Sequence, residues 1–200
     1  MRKFLLAITT GFFALATGFF AVTGAAPTTY RVEPVNATVA FSITKWGLLV
    51  EEGAFRDFTG NVTYDAKNPE RSQASFSVRT ASIDTKNSDR DDTLRSDDFL
   101  HAARHPQLTF KSTRVVPLSS DTARVTGDLT IRGVTRSITI SVRLLGRSHQ
   151  PDVGDLAAFE TSFEIDRRHF GVLGSRWSAP FPGILGKTVK VRIVAGGVRR

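Results

Sequence analysis

VTGDLTIRGVTRSITISVRL, residues 125–144, is two β-strands and the turn between them. On the first, Val125, Leu129 and Ile131 share one face with Gly127 at the fourth position. On the second, Ile138, Ile140, Val142 and Leu144 alternate with Thr, Ser and Arg. A period of two puts every apolar side chain on one face of a half-buried strand. Arg132-Gly133 between the runs is a short hairpin turn in which Gly133 supplies a positive φ.

The same period recurs outward in both directions. Val39, Phe41 and Ile43 alternate, as do Phe76 and Val78, Leu108 and Phe110, Phe159, Phe163 and Ile165 around Thr161, and Val189, Val191 and Ile193. With a strand around Ala54–Tyr64 this makes roughly eight strands of ordinary length. Asp65–Arg71 and Pro151–Asp155 are turn clusters, and strand–helix–strand repeats are absent from the pattern. The chain therefore reads as all-β and antiparallel. Eight such strands avoid open edges most simply by closing into an up-and-down barrel, with an open sandwich as the alternative.

Ser82–Phe110, SIDTKNSDRDDTLRSDDFLHAARHPQLTF, interrupts the alternation. It predicts one helix over Asp89–Arg104, with Ser88 or Asp89 as N-cap and Asp91 and Asp92 in the first turn. Leu94, Phe99 and Leu100 would form its apolar stripe, and Pro106 would end it.

Composition narrows the function classes. Met1-Arg2-Lys3 followed by an apolar run to Val22 and small residues to Ala26 predicts a signal peptide over 1–25, with an uncleaved anchor as the competing reading. The expected domain is then 26–200, exported to the periplasm. The chain has no cysteine, which removes disulfides, thiolate catalysis and cysteine-ligated metals. Beyond Lys3 there are 25 basic residues against 19 acidic ones, and 19 of the 25 are arginines scattered along the chain. Such a surface is ordinary for a soluble basic protein and also suits an anionic membrane surface or a phosphorylated ligand. Nucleic acid is not expected, since no recognition motif is present.

Several segments resemble the YceI-like family, bacterial periplasmic proteins with a lipocalin-like barrel that bind polyisoprenoids. They are Tyr30–Pro34; Gly53–Gly60, a GxFxxFxG strand; the pieces SIDT, RDDTLRSDDFL and HPQLTF within Ser82–Phe110; Gly127–Thr135; and Asp166–Gly171, a DRxxFG motif. Together they cover nearly the whole exported part. Thr93 and Lys45 stand where many relatives carry histidine. The resemblance implies an eight-stranded lipocalin-like barrel with an apolar tunnel for an isoprenoid chain. Phe41, Ile43, Phe76, Val78, Phe110, Ile138, Ile140, Phe159 and Phe163, on apolar strand faces, are the candidate lining. Arg90, Arg95 and Arg167, matched by motif, are the candidates to meet an anionic head group, with salt bridges to nearby aspartates as the competing role.

Catalytic motifs are missing: no Gly-x-Ser-x-Gly elbow, phosphate-binding loop or dinucleotide fingerprint occurs. His101 and His105 have the i, i+4 spacing of metal ligands on a helix, without the glutamate of a zinc protease. No metal or cofactor is expected. The expected function is a carrier or binding protein for a long isoprenoid lipid, a polyprenyl phosphate or an isoprenoid quinone, with a homodimer left open. The alternatives are an enzyme or redox or stress accessory acting with such a lipid, and an interaction protein whose barrel is filled by side chains.

Overall fold

The computed structural model describes residues 26–181 and 183–199; the expected signal peptide at 1–25 lies outside them. Ten strands and two short helices follow in order: β1 Thr28–Lys45, β2 Leu49–Phe55, β3 Phe58–Tyr64, β4 Gln73–Arg79, β5 Ile83–Asp84, α1 Ser88–Arg95, β6 Gln107–Pro117, β7 Thr122–Ile131, β8 Val134–Gln150, β9 Gly154–Asp166, α2 Ser175–Ser178 and β10 Leu185–Arg199.

The sheet runs β10-β9-β8-β7-β6-β4-β3-β1 and closes through an antiparallel β1–β10 pairing. This is the eight-stranded antiparallel barrel, extended by two further strands. The Ala54–Tyr64 strand is interrupted at Arg56-Asp57. Its two pieces divide the long β1 between them: β3 pairs with Thr28–Val32 and β2 with Val39–Lys45. The two-residue β5 then pairs with the end of β2.

Alternation does the expected work inside the wall. Val115 on β6 faces Val125 on β7, which faces Ile140 on β8, and the three form one buried cluster. Each side chain of this kind contributes about 1.5–3 kcal/mol gross on burial. A larger cluster sits at one end of the barrel, where Phe99, Leu100, Phe170 and Val172 pack on Ile83, Leu108 and Ile131. That end, called the helix end below, carries α1, the β1–β2 turn and the 167–184 segment.

The hairpin at 132–133 is present, with positive φ at both Arg132 (51°) and Gly133 (75°). Two positive φ values give the turn the twist that antiparallel strands need. Arg132 is held in this unusual conformation for a side-chain residue because its guanidinium donates to Gly171 O and Asp97 O, both at 2.7 Å.

The expected helix is in place and shorter than the sequence suggested: it ends at Arg95 rather than Arg104, and its N-cap is Asn87, whose Oδ1 accepts from Arg90 N at 2.9 Å. Ser96 turns extended and closes the helix with its own N–H and hydroxyl. Residues 96–105 follow as an irregular loop with His101 at φ 50°, so His101 and His105 do not share a helix face.

Candidate functional site

The barrel is hollow. A cavity of about 620 Å³ runs through it, walled almost wholly by aliphatic and aromatic side chains. Of the nine candidate lining residues all but Ile138 face it. Ile138 is half-buried against the Val115–Val125–Ile140 cluster. Its neighbour across the β7–β8 ladder is Gly127, where a Cβ would come within 2.5 Å of the Phe110 ring.

That contact is one of three. A Cβ at Gly53 would lie 2.4 Å from the Phe41 ring, and one at Gly60 would lie 2.5 Å from the Phe76 ring. Each phenyl ring covers a stretch of glycine backbone on the adjacent strand and lines the cavity with its other side. Aromatics of about 150–250 Å² apiece would otherwise stand into the lumen and fill a barrel of this size. All three glycines belong to the segments that carry the family resemblance.

At the helix end the cavity reaches the surface among charged and aromatic groups. Trp46 and Gly47 turn β1 into β2, both with positive φ, and Trp46 N donates to Ile184 O at 2.7 Å. A left-handed conformation costs a residue with a Cβ roughly 1–2 kcal/mol, and this backbone bond holds the turn against that strain. Lys45 Nζ lies 4.5 Å from the Trp46 ring and 5.8 Å from the Trp177 ring, with Glu51 4.0 Å away. Trp46 and Trp177 are the chain's two tryptophans, 55% and 41% exposed.

Arg90 also faces the cavity. It pairs with Glu51 and donates to Thr85 Oγ1 and Thr85 O, both at 2.8 Å. The Thr85 N–H and hydroxyl in turn donate to the buried Asp91 carboxylate at 2.9 and 2.7 Å. These bonds tie α1 to the end of β5 and fix the guanidinium at the mouth.

The other two candidate arginines are placed differently. Arg95 is not part of the cavity; it braces α1 against the Ala81 and Ile83 carbonyls, each at 2.9 Å, and pairs with Asp92. Arg167 does line the cavity, and its donors go to the carbonyls of Gly186 (2.9 Å), Val172 (2.7 Å), Leu173 (2.5 Å) and Leu185 (3.3 Å). Burial lowers its pKa, the neighbouring Asp166 acting against that shift. The Asp166 carboxylate is held far below the usual range by its bonds to Arg168. Arg167 thus clasps the 171–186 segment to the start of β10.

That segment is also pinned from the loop after α1. The Asp98 carboxylate accepts from Trp177 N at 2.9 Å, Arg176 N at 3.1 Å and Ser175 Oγ at 3.3 Å, capping α2 from outside its own sequence. Sequence reasoning missed this role of Asp98, and it passed over Lys45 as a head-group candidate. Lys45 and Thr93 both line the mouth.

The opposite end of the cavity is bordered by Gln73, Pro117, Ser119, Ser120, Asp121 and Thr122. Asp121 is kept ionised by hydroxyl donors, Ser119 Oγ at 2.7 Å and Thr122 Oγ1 at 3.0 Å. His101 and His105 stack edge to face, with ring centroids 5.7 Å apart, outside the cavity. Among the described residues no three His, Asp or Glu side chains are grouped to hold a metal.

Comparison with known proteins follows the same lines. Residues 30–196 match the family model described as the YceI-like domain. Protein YceI of Escherichia coli O157:H7 is 37% identical over 174 residues, which is 86% of this chain and 88% of that protein. A UPF0312 protein of Azotobacter vinelandii is 39% identical over 140 residues, 70% of this chain and 73% of its own. Among solved structures, Burkholderia cenocepacia BcnA superposes with a TM-score of 0.74 at 24% identity, covering 82% of this chain and 98% of that one. A domain from Saccharophagus degradans, described as polyisoprenoid-binding, superposes at 0.66 with 15% identity, covering 86% and 98%. Sequence match, barrel topology and motif positions agree, and the chain belongs to the YceI-like domain family.

Proposed function

We propose that this protein is a periplasmic carrier that binds a long isoprenoid lipid, a polyprenyl phosphate or an isoprenoid quinone, and that it binds this lipid without chemically altering it. The observation that carries the reading is the cavity itself: about 620 Å³, apolar along its length, and kept open by phenyl rings laid over glycine backbone. Its volume falls in the range of ligand sites. A barrel that served only as a filled scaffold would not need those three glycines.

The energetics suit a prenyl tail. Each buried methylene contributes about 0.8 kcal/mol, so a few isoprene units supply a large gross affinity, offset by ordering of the flexible chain. Lys45 and Arg90 at the helix end give an anionic or quinone head polar partners. The polyisoprenoid-binding description of the Saccharophagus degradans domain, which shares the fold, supports the same ligand class.

Native mass spectrometry on protein exported by a bacterial host, followed by solvent extraction, tests this reading. A discrete isoprenoid mass released on denaturation is the expected result. Protein that arrives empty and takes up neither polyprenyl phosphate nor quinone at micromolar concentration would refute it.

A further inference from the structure

Among the described residues the exposed phenyl and indole rings all stand at the helix end: Trp46 (55%), Trp177 (41%) and Phe181 (67%). Leu48, Leu49 and Val50 continue the surface from Trp46, and Leu48 is 84% exposed, clear of its neighbours. The opposite end exposes Leu118, Leu145 and Val153 and no such ring.

One set of contacts joins the two apolar tips. Trp46 N donates to Ile184 O, Ile184 N donates to Phe181 O at 3.1 Å, and the Lys45 ammonium lies near both indoles. Both tips are also held from behind, the β1–β2 turn by the Ile184 bond and the 171–186 segment by Arg167 and Asp98. A fixed backbone thus presents these side chains outward.

The area is large for a surface left in water. At about 150–250 Å² apiece, the three aromatics expose roughly 250–400 Å². The two leucines and the valine add a comparable area, which takes the patch to the upper limit for a soluble monomer, about 300–600 Å².

Charges around the tips are mixed. Arg90 pairs with Glu51, and Arg176 with Asp97 and Asp98. Lys45 and the exposed Lys187 stand with the exposed Glu52 and Asp89. A patch of no single sign is not drawn to a strongly anionic surface. It complements a zwitterionic phospholipid surface, whose phosphate takes the cations and whose ammonium takes the carboxylates. Tryptophan suits that depth, with an apolar ring and a wet N–H.

The cavity opens between these tips, beside Trp177, Asn87 and Asp89. A mouth pressed against headgroups keeps an apolar tail out of water while it enters or leaves.

Extending the carrier reading above, on which the choice of partner rests, we propose that the helix end is a membrane-docking surface. The Trp46–Val50 turn and Phe181 insert to headgroup depth in zwitterionic phospholipid, and lipid passes through the docked mouth while the barrel stays outside.

Flotation with phosphatidylcholine vesicles free of isoprenoid tests this, alongside vesicles enriched in phosphatidylglycerol. The protein should float with both, and high salt should change the bound fraction by less than about two-fold. Tryptophan emission should shift to the blue, since both tryptophans of the chain lie in the patch. Leu48→Ser/Phe181→Ser changes two exposed side chains outside the cavity lining. It should keep the circular dichroism spectrum, bind farnesyl phosphate as the unmodified protein does, and lose about ten-fold or more in vesicle affinity.

No flotation, or flotation confined to phosphatidylglycerol and lost in high salt, overturns the proposal. So does a double variant that floats like the unmodified protein. Sedimentation velocity reads the rival occupant: a dimer abolished by the double variant, without vesicle binding, gives the patch to a second copy and overturns docking. Farnesyl phosphate keeps the two readings apart. Its binding without flotation removes the docking surface alone, whereas flotation without its binding removes the carrier reading and leaves the docking surface standing.

Discussion

Phe41 on β1 occupies the space that a side chain at Gly53, directly opposite on β2, would need: a Cβ there would lie 2.4 Å from the ring's Cζ. The same relation joins Phe76 to Gly60, also directly opposite, and Phe110 to Gly127. These pairs decide whether the barrel is hollow. A methyl group at Gly60 forces the ring to swing, and one at Gly53 displaces the Phe41 ring and also presses on the Thr85 methyl at 2.9 Å; the open side for both rings is the lumen. The Gly53→Ala/Gly60→Ala variant is therefore expected to stay folded, because ring movement is cheaper than backbone movement. It should lose lipid capacity by about ten-fold or more, since two rings swung into the lumen take the space of an apolar tail. Circular dichroism checks the fold and native mass spectrometry the bound fraction.

Asp98 offers a second test, because its carboxylate is the only side-chain cap on α2 seen among the described residues. Asp98→Ala removes the acceptor for two backbone N–H groups at the edge of the mouth. The expected cost is about 1–2 kcal/mol of stability, in the range of lost helix caps. With Trp177 no longer anchored, bound lipid should leave several-fold faster. Denaturant unfolding and a stopped-flow release measurement read the two effects separately.

The strands were legible because a half-buried strand writes its period directly into sequence, as Ile138–Leu144 shows. The helix was overextended because the acidic residues after Ser88 and the spacing of His101 and His105 satisfy a helical pattern equally well beyond Arg95. Only the capping geometry at Ser96 stops it. The cavity was half-legible. Alternation tells which residues face inward, and it placed Phe41, Phe76 and Phe110 there. It does not tell which ring finds a glycine to lie over, because that depends on the neighbouring strand's register. The arginines show a harder limit: Arg90, Arg95 and Arg167 look equivalent as charges, and only tertiary contacts separate a mouth residue from a brace and a clasp.

Arg167 gives a prediction that separates clasp from ligand contact. Its fork of donors reaches four carbonyls that a lysine ammonium cannot satisfy together. Arg167→Lys should lower stability by about 2–4 kcal/mol through the carbonyls left unpaired. The ratio of affinities for polyprenyl phosphate and the matching alcohol should stay as in the unmodified protein. A fall in that ratio without loss of stability would make Arg167 a head-group residue.

Acid should weaken the carboxylate contacts of the helix end. Bonds to Arg168 depress the Asp166 pKa, and the bond to Arg176 depresses that of Asp97. A carboxylate whose folded pKa is lowered adds stability that is fully present above its unfolded value, near 3.9, and is lost as pH falls through the folded value. Thermal unfolding temperature should thus hold down to about pH 4 and drop below it. Asp166→Asn should start lower at neutral pH and fall less steeply in acid. Identical slopes for the two proteins would show that this pair does not govern the transition.

Lys45 carries the prediction closest to ligand choice. Arg90 shares its charge with Glu51, and Arg167 gives its donors to backbone, whereas Lys45 has one carboxylate at 4.0 Å and two indole faces around it. An ammonium so placed keeps donors for an incoming oxyanion, and the indoles hold it near the lumen by cation–π attraction of about 0.5–1 kcal/mol each. Lys45→Met preserves the apolar stem and removes the charge. The variant should bind polyprenols as the unmodified protein does and lose roughly five- to ten-fold in affinity for polyprenyl phosphates, about 1–1.4 kcal/mol. Raising ionic strength should shrink the difference between the two proteins, because the mouth is partly open to solvent. Equal loss for alcohol and phosphate would instead assign Lys45 to the packing of the two tryptophans, and the head group would then rest on Arg90.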